Sequence, residues 1–463
     1  MYKNIKLPEN FKQRMQSSLG DADFQLYCES FDQPVPVSLR INPLKWHEKP
    51  DLQPVLWSQT GYYLPERPFF ACDPLWHSGA YYVQEASSMF LEHVVRSIFQ
   101  EEMPEVVLDL CGAPGGKATH LSSIMDGKGL LVANEVIRSR AVVLAENLRK
   151  WGQPNVVVTN NDPSHFAAIE GFFDLIVTDA PCSGEGMFRK NNDAINEWSE
   201  SNVKLCADRQ QRILSDVWAA LKPGGILIYS TCTFNEAENE DNTFKFISNN
   251  EAESIKIDVP DQWDVLETHK EGAFGYRFFP HRVKGEGFFI TAMRKTTGKC
   301  YKFSKKMDVR TFLPVPKRIC DPQIYFSSDK FVFMEDKKRI VALDKDIVKE
   351  TDFLRGKLKV IHNGIAVGVL NRNEIIPEHD FALSPFLKED YYKSYELSFE
   401  QAKRFVAKES FEVEGLENGQ RYRAVYRNVA LGAFKFLGNR INTSLPAEWR
   451  LRKNCSADEG RVL

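Results

Sequence analysis

The 463-residue sequence lacks several features that would assign it to a common class. Its nine cysteines include no C-x-x-C pair, so the pattern predicts neither a zinc site nor a disulfide framework. No apolar run approaches the ~20 residues that a membrane helix needs. No signal peptide is recognisable at the N terminus, so we expect free thiols and a cytoplasmic monomer without metal or membrane partner.

A net charge of −3 does not indicate a nucleic-acid-binding protein, but the average hides two basic segments. Residues 294–310 carry seven basic residues and one acid, and residues 420–453 carry eight basic residues interleaved with aromatic residues. Such clusters attract phosphates regardless of base sequence. The candidate phosphate contacts in the second segment are Arg421, Arg423, Arg427 and Arg440. A solvated face with core aromatic residues between the arginines remains the alternative.

The chain divides into four segments by pattern. Residues 1–78 are interrupted by prolines, which discourage long elements. Residues 79–297 alternate strands with helices, which predicts a doubly wound, parallel α/β sheet. Residues 298–385 are expected to form a linker and a small β-rich domain, and residues 386–463 a last unit.

The alternating region contains six apolar runs that predict strands and four amphipathic runs that predict helices. The predicted strands are 106–110, 130–135, 156–160, 173–179, 226–230 and 287–293, and the predicted helices are 118–125, 137–151, 203–221 and 235–248. Further strand-like pieces are 324–326, 331–334, 358–362, 365–370 and 429–437.

A glycine-rich turn follows the first strand of the alternating region, directly after Asp109. Glycine lets the backbone approach a ligand, and the next helix adds a partial positive charge. The spacing matches neither the nicotinamide-dinucleotide nor the ATP-loop pattern. Glu135 and Asp162 follow the next two strands, where they suit ribose hydroxyls and an adenine amino group. Ligands bind at the carboxyl ends of such strands, so the sequence predicts a nucleoside-type site.

Two cysteines, Cys182 and Cys232, follow the fourth and fifth strands. If those strands are neighbours, their ends lie ~5 Å apart and both thiols face one pocket. Cys111 lies in the glycine-rich turn, where its backbone is expected to matter more than its sulfur. The other six are predicted to be small buried hydrophobes: Cys28, Cys72, Cys206, Cys300, Cys320 and Cys455.

Four motifs occur in a fixed order: DLCGAPGGK at 109–117, DAPCSGEGM at 179–187, STCT at 230–233 and PHRVKGEGFF at 280–289. Together they resemble the motifs of the Nop/Sun family of RNA (cytosine-5)-methyltransferases. Residues 38–45 and 81–88 resemble the N-terminal elements of that family. Residues 437–440 are similar to its RsmF branch, which carries a PUA-like RNA-binding domain. Gly112 is a departure, because the family commonly has alanine there.

The resemblance implies a Rossmann-like, S-adenosylmethionine-dependent methyltransferase domain. It also implies a small N-terminal α/β domain and a C-terminal β-rich, PUA-like RNA-binding region. Carried over by position, the residues that contact S-adenosylmethionine or shape its pocket are Cys111, Gly112, Ala113, Pro114, Gly115, Gly116, Lys117, Glu135, Asp162 and Asp179.

The same resemblance makes Cys232 the nucleophile and Cys182 the residue that assists product release. The residues alone do not assign these roles, because analogy with DNA cytosine methyltransferases would select Cys182 as the nucleophile. Asp179 is expected to stay protonated in a dry pocket and to support N3 of cytosine. Lys190 is a candidate cation for a thiolate or a phosphate, although a solvated lysine is equally expected.

The implied function is methylation of carbon 5 of cytosine in RNA, with 16S ribosomal RNA or the small ribosomal subunit as the expected partner. Transfer RNA is an alternative substrate. A non-catalytic, RNA-binding assembly factor is a second alternative, although retention of both cysteines argues against it. A nicotinamide dehydrogenase is disfavoured by the glycine spacing.

Overall fold

The computed structural model describes residues 6–100, 102–303, 312–318, 320–371, 374–453, 455–456 and 459–463. Residues 304–310 of the first basic segment lie outside the described residues. Among the helices of the described part, none is long and apolar enough to cross a membrane.

The N-terminal region combines helices with a four-stranded antiparallel sheet in the order β2-β3-β1-β4. Its elements are α1 Glu9–Leu19, α2 Asp21–Glu29, β1 Val37–Ile41, β2 Gln53–Pro54, β3 Gly61–Leu64, α3 Pro74–Ser78 and β4 Tyr81–Val83. Since β4 pairs with β1, this sheet extends beyond the boundary expected at residue 78. Phe11 and Tyr27, from α1 and α2, pack against Phe188 and Phe234, so these helices support the loops that follow two strands of the central sheet.

The central region is the predicted alternation of strands and helices, with extra strands at one edge. Its elements are α4 Leu91–Phe99, β5 Val106–Asp109, α5 Gly116–Met125, β6 Leu130–Asn134, α6 Arg138–Trp151, β7 Val156–Thr159, β8 Phe173–Asp179, α7 Asn192–Glu197, α8 Glu200–Trp218, β9 Leu221–Thr231, α9 Glu240–Asn249, β10 Ala252–Ser254, β11 Leu266–Lys270, β12 Ala273–Phe278 and β13 Phe288–Lys295.

These strands form most of a ten-stranded sheet in the order β11-β12-β13-β9-β8-β5-β6-β7-β17, with β10 on β13. The strands from β9 to β7 are parallel, and their apolar residues are buried, as expected where helices cover both faces. The chain moves outward from β5 to β7 and then returns to β8 on the other side of β5. Ligands bind at such a reversal, outside the carboxyl ends of the strands.

One core lies on each face of this sheet. On one face, Leu121 of α5 and Leu144 of α6 pack with the strand residues. On the other face, Leu214 of α8 and Phe246 of α9 do so. The α8 helix begins where the Ser199 side chain accepts from the Asn202 amide, three residues earlier than periodicity predicts.

Two predicted elements of the central and following regions differ in the structure. The helix predicted over 235–248 begins only at Glu240, because the side-chain and backbone contacts of Asn235 hold the preceding residues in turns. The strand-like piece at 324–326 falls largely within a helical turn, α10 Pro322–Tyr325. Pro322 supplies the first helical residue of that turn, and the Asp321 side chain caps it.

The segment after residue 298 forms a five-stranded sheet and also adds one strand, β17, to the ten-stranded sheet. Its elements are β14 Leu313–Pro314, α10, β15 Phe331–Asp336, β16 Arg339–Asp344, α11 Val348–Lys357, β17 Val360–Asn363, β18 Ile365–Asn371, β19 Glu374–Pro377 and α12 His379–Leu383. The strands of the five-stranded sheet lie in the order β14-β15-β16-β18-β19. Because β17 pairs antiparallel with β7, this segment is hydrogen-bonded into the ten-stranded sheet.

The last region is a four-stranded sheet with one helix. Its elements are β20 Lys393–Glu396, α13 Phe399–Val406, β21 Arg421–Tyr426, β22 Val429–Phe436 and β23 Ile441–Thr443. The sheet order is β20-β21-β22-β23, and Phe405 and Phe434 lie in its core. The capping box of Ser398 and Gln401 fixes the start of α13.

The expectation that all nine cysteines are free thiols is wrong for two of them. Cys72 and Cys455 form a disulfide, with Cα atoms 5.9 Å apart. The pairing is possible because the C-terminal segment returns to the N-terminal sheet, where Val462 packs against its core. Cys300 also differs from its prediction, because it is exposed, and Cys28 is only half-buried, whereas Cys206 and Cys320 are buried as predicted.

Candidate active site

The glycine-rich turn joins β5 to α5 above Asp109, whose carboxylate is fully buried. Neither carboxylate oxygen of Asp109 has a hydrogen-bond partner among the described residues. Burial raises the pKa of Asp109 to about 7, while the Lys117 ammonium opposes that rise. Gly115 has φ of 122°, a conformation that side-chain-bearing residues rarely adopt. The turn therefore keeps its backbone open beside an unpaired carboxyl group.

The two acids predicted to meet a nucleoside both lie at the same edge of the sheet. Glu135 is 2% exposed, and its Oε1 accepts from the Ile137 amide at 2.9 Å. Its Oε2 lies 3.4 Å from the Arg140 guanidinium. Asp162 is half-buried after β7 and caps the following turn through the Ser164 amide and hydroxyl. The Ser164 contacts lower the pKa of Asp162, so it stays ionised.

Asp179 is the last residue of β8, and its side chain contacts both Lys117, at the start of α5, and Ser230 of β9. Its Oδ2 lies 2.9 Å from the Lys117 ammonium, and its Oδ1 accepts from the Ser230 hydroxyl at 2.8 Å. The side chain is 39% exposed. The expectation of a dry pocket around Asp179 is therefore not met, and the Lys117 ammonium lies directly against the carboxylate.

The two strand-end thiols are adjacent, as the strand order predicts. Cys182 Sγ lies 3.1 Å from Cys232 Sγ, and the Cys232 amide donates to Cys182 Sγ at 3.3 Å. The neighbouring Cys232 sulfur and burial raise the pKa of Cys182, and the Glu238 carboxylate acts in the same direction. Cys182 is therefore held as a neutral thiol.

These groups line a single cavity of about 480 Å³, which is within the ~300–1,000 Å³ typical of small-molecule sites. The predicted residues in its wall are Cys111, Ala113, Glu135, Asp162, Asp179, Cys182 and Cys232. Sequence reasoning missed three cationic residues that also line it: Arg140, Arg209 and Arg212. Their only signal was spacing, since Arg209 and Arg212 stand three residues apart on one face of α8.

The cavity fits S-adenosylmethionine on chemical grounds. The ligand carries a positive sulfonium, and the wall offers Glu135, Asp162 and Asp179, with the unpaired Asp109 behind the turn. Gly112 leaves room there, because a Cβ at this position would approach Asp109 Oδ2 to 3.2 Å. Burial of its sulfur raises the pKa of the Cys111 thiol, so Cys111 contributes shape rather than charge.

The four arginines predicted to contact phosphates differ in their surroundings. Arg423 donates to the carbonyl oxygens of Ala382 and Ser384, and burial lowers its pKa to about 10. Because these contacts are internal, Arg423 is unsuited to hold a phosphate.

Arg427 is likewise engaged by the chain itself. It donates to the main-chain oxygen of Leu463, pairs with Glu48 at 3.6 Å and stacks on Trp46. Arg440 is exposed on a groove beside α13, and Arg421 is half-buried directly opposite Lys435 on the next strand. Lys190 is exposed beyond the Cys182 loop.

Family models match three parts of this chain in order. The model of the 16S rRNA methyltransferase RsmB/F matches residues 97–294, the N-terminal domain of 16S rRNA methyltransferase RsmF matches 7–86, and the methyltransferase RsmF PUA domain matches 392–451. The ribosomal RNA small subunit methyltransferase F of Vibrio campbellii is 30% identical over 483 residues, covering 98% of this chain and all of the relative. The chain belongs to the RsmB/F family of 16S rRNA methyltransferases.

Membership in the RsmB/F family makes this chain an S-adenosylmethionine-dependent RNA methyltransferase. It also confirms the Rossmann-like fold and the N-terminal and PUA regions implied by the motifs. A second relative, the ribosomal RNA small subunit methyltransferase F of Erwinia tasmaniensis, is 35% identical over 314 residues, covering 63% of this chain and 64% of the relative.

Solved structures share the fold of this chain. A methyltransferase homolog protein from Pyrococcus horikoshii is 27% identical with a TM-score of 0.50, covering 62% of this chain and all of that chain. NSun6 from Pyrococcus horikoshii, solved with SFG, has a TM-score of 0.52 over 63% of this chain and 98% of its own. At 20% identity, that second likeness shows the shared fold alone.

Proposed function

We propose that this protein methylates carbon 5 of cytosine in 16S ribosomal RNA through a covalent bond between Cys232 and the base. The observation that carries the proposal is the pair of sulfur atoms 3.1 Å apart in the wall of the cofactor cavity. Methylation of an amino group or a hydroxyl needs no thiol. Carbon 5 of cytosine needs one, because it is too weak a nucleophile until a thiolate adds to carbon 6.

In the proposed reaction, Cys232 adds to carbon 6 as its thiolate, and carbon 5 becomes an enamine carbon. When bound, S-adenosylmethionine would supply the methyl group that this carbon takes, with its thioether as the leaving group. Cys182, whose own thiol proton has by then passed to solvent, accepts the carbon-5 proton as its thiolate, and the Cys232–carbon 6 bond breaks to release the Cys232 thiolate and restore the ring. The raised pKa of Cys182 suits both parts of this order, because the thiol does not compete for carbon 6 while it is protonated, and its thiolate is a strong base once it forms.

Asp179 and Lys117 are proposed to face the polar edge of the cytosine. Addition at carbon 6 pushes electron density toward N3, which is stabilised there by a proton or a nearby positive charge. The Lys117 ammonium lies 2.9 Å from Asp179 Oδ2 and stacks over the Phe288 ring. This pair brings a proton donor and an acceptor to one place, whichever group carries the proton.

The test compares two variants for protein–RNA adducts on denaturing gels, using 16S rRNA transcripts and methyl-labelled cofactor. Cys232→Ala should be inactive and should yield no adduct. Cys182→Ala should attack and methylate but not release, so it should accumulate a labelled adduct. An adduct from Cys232→Ala and none from Cys182→Ala would reverse the two roles. Labelling of transfer RNA in preference to 16S rRNA would contradict the proposed substrate.

A further inference from the structure

Two adjacent buried residues, Glu238 and Asn239, lie in the turn between β9 and α9. Both side chains are fully buried, which is unusual for a carboxylate that serves no purpose. Their hydrogen bonds go to residues that flank the two reactive thiols. The hydrogen bonds of Glu238 support the loop of Cys182, and those of Asn239 support the residues beside Cys232.

Glu238 holds Ser183 directly and Pro181 through Gln210, and these two residues flank Cys182. One of its carboxylate oxygens accepts from the Ser183 amide at 2.9 Å and from Gln210 Nε2 at 2.9 Å, and the other accepts from the Ser183 hydroxyl. The same Gln210 amide group also donates to the carbonyl oxygen of Pro181 at 3.0 Å. Burial raises the pKa of Glu238, whereas these donors lower it.

Asn239 holds the residues on both sides of Cys232 in the same way. Its Oδ1 accepts from the Thr231 hydroxyl at 2.6 Å, and its Nδ2 donates to the carbonyl oxygen of Thr233 at 2.9 Å. A hydroxyl pair, Ser183 and Thr233, links the two loops at 2.9 Å. Both neighbours of Cys182 are therefore held by Glu238, one of them through Gln210. Both neighbours of Cys232 are held by Asn239, the next residue in the chain.

We propose that Glu238 and Asn239 are positioning residues that fix the two sulfur atoms separately, Glu238 acting on Cys182 and Asn239 on Cys232. The inference rests on the proposed function, in which one sulfur attacks and the other removes a proton. Those two steps need different placements, and a misplacement of ~1 Å costs on the order of 100-fold in rate. Loss of either residue should therefore impair one step and leave the other.

Glu238→Gln is expected to impair release. Glutamine places an NH2 group where one of the two acceptor oxygens now lies, so at least one of the three donors loses its acceptor, and the Ser183 loop shifts and carries Cys182 away from the carbon-5 proton. Cys232 still attacks, so a methylated adduct should accumulate while turnover falls about 100-fold. Asn239→Ala is expected to impair attack, because it frees both neighbours of Cys232. It should lower turnover by a similar factor without any adduct.

The experiment measures labelled adduct and turnover for both variants in the full-length protein with a 16S rRNA transcript. Glu236→Gln is the matched control, since it makes the same change at an exposed position in the same turn. Thermal melting and the affinity for S-adenosylmethionine should stay as in the unmodified protein. Ser183→Ala removes a hydroxyl that bonds Glu238, and Thr231→Val removes one that bonds Asn239. If Glu238→Gln or Asn239→Ala does not fold, these two variants replace them in the same adduct assay.

Opposite adduct signatures for the two sides support the proposal. The same signature on both sides, or turnover close to that of Glu236→Gln, overturns it. Failure of the proposed function looks different, because Cys232→Ala would then retain methylation.

Discussion

Replacing Glu135 by alanine should weaken the binding of S-adenosylmethionine and leave the fold intact. The Ile137 amide already occupies Oε1, and Arg140 approaches Oε2 only at 3.4 Å, so the carboxylate keeps lone pairs for a ribose hydroxyl. A hydrogen bond to a charged group contributes about 1.5–3 kcal/mol. At about 1.4 kcal/mol for each tenfold change, the dissociation constant should rise roughly 10- to 140-fold.

Isothermal titration calorimetry with S-adenosylmethionine and with its demethylated product measures this loss directly. Both ligands carry the ribose, so both affinities should fall by the same factor. Glu135→Gln keeps an acceptor for the Ile137 amide and should lose less. Glu146→Ala, which removes a carboxylate from α6 that pairs with Lys150, should bind normally. A change of less than threefold in Glu135→Ala would refute a ribose contact.

Three further perturbations follow from features away from the thiols. Removing both Arg421 and Arg440 should weaken RNA binding and lower the slope of log affinity against log salt by about 1.4–1.8, the amount for two phosphates. Asp109→Asn should gain stability over the unmodified protein as pH rises from about 4 to 7, because the folded protein keeps a proton there that the unfolded chain loses. Cys455→Ser should lose about 2–5 kcal/mol of stability without reductant and nothing with it.

Each of these three has a measurement and a contrary outcome. For RNA binding, Lys330→Ala with Lys345→Ala is the control, and an unchanged salt slope in the arginine variant would favour a solvated basic face. For Asp109, thermal melts across pH give the difference, and a difference that does not change with pH would contradict the raised pKa. For Cys455→Ser, thermal melts with and without reductant measure the loss of stability. A loss that persists in reductant would mean that side-chain packing, and not the disulfide, accounts for it.

The central sheet was largely predictable because its parallel strands are continuous apolar runs bounded by glycine turns. The strand β11 was not predicted, because it alternates polar residues, and the strand-like piece at 358–362 did not reveal that β17 pairs with β7, which is distant in the chain. The adjacency of Cys182 and Cys232 followed from strand order alone. The contacts of Glu238 and Asn239 did not, because burial of a carboxylate depends on packing that no local pattern announces.

The C-terminal arginines show the same limit from the other direction. Charge density predicted four equivalent phosphate contacts, yet Arg423 and Arg427 are held by the chain's own carbonyl oxygens. Sequence records a charge but not its partner. The Cys72–Cys455 bond, between residues 383 positions apart, was hidden for the same reason.

Because β17 pairs with β7, the segment that leads to the PUA region is part of the central sheet and is not a free linker. The bidentate ion pair between Arg149 of α6 and the buried Asp380 of α12 fastens the same junction a second time. Two surfaces held at a set spacing bind one long ligand without first losing the entropy of mutual motion. The active-site cavity and the PUA region are therefore held at a fixed spacing, so an RNA that contacts both would not have to order one region against the other.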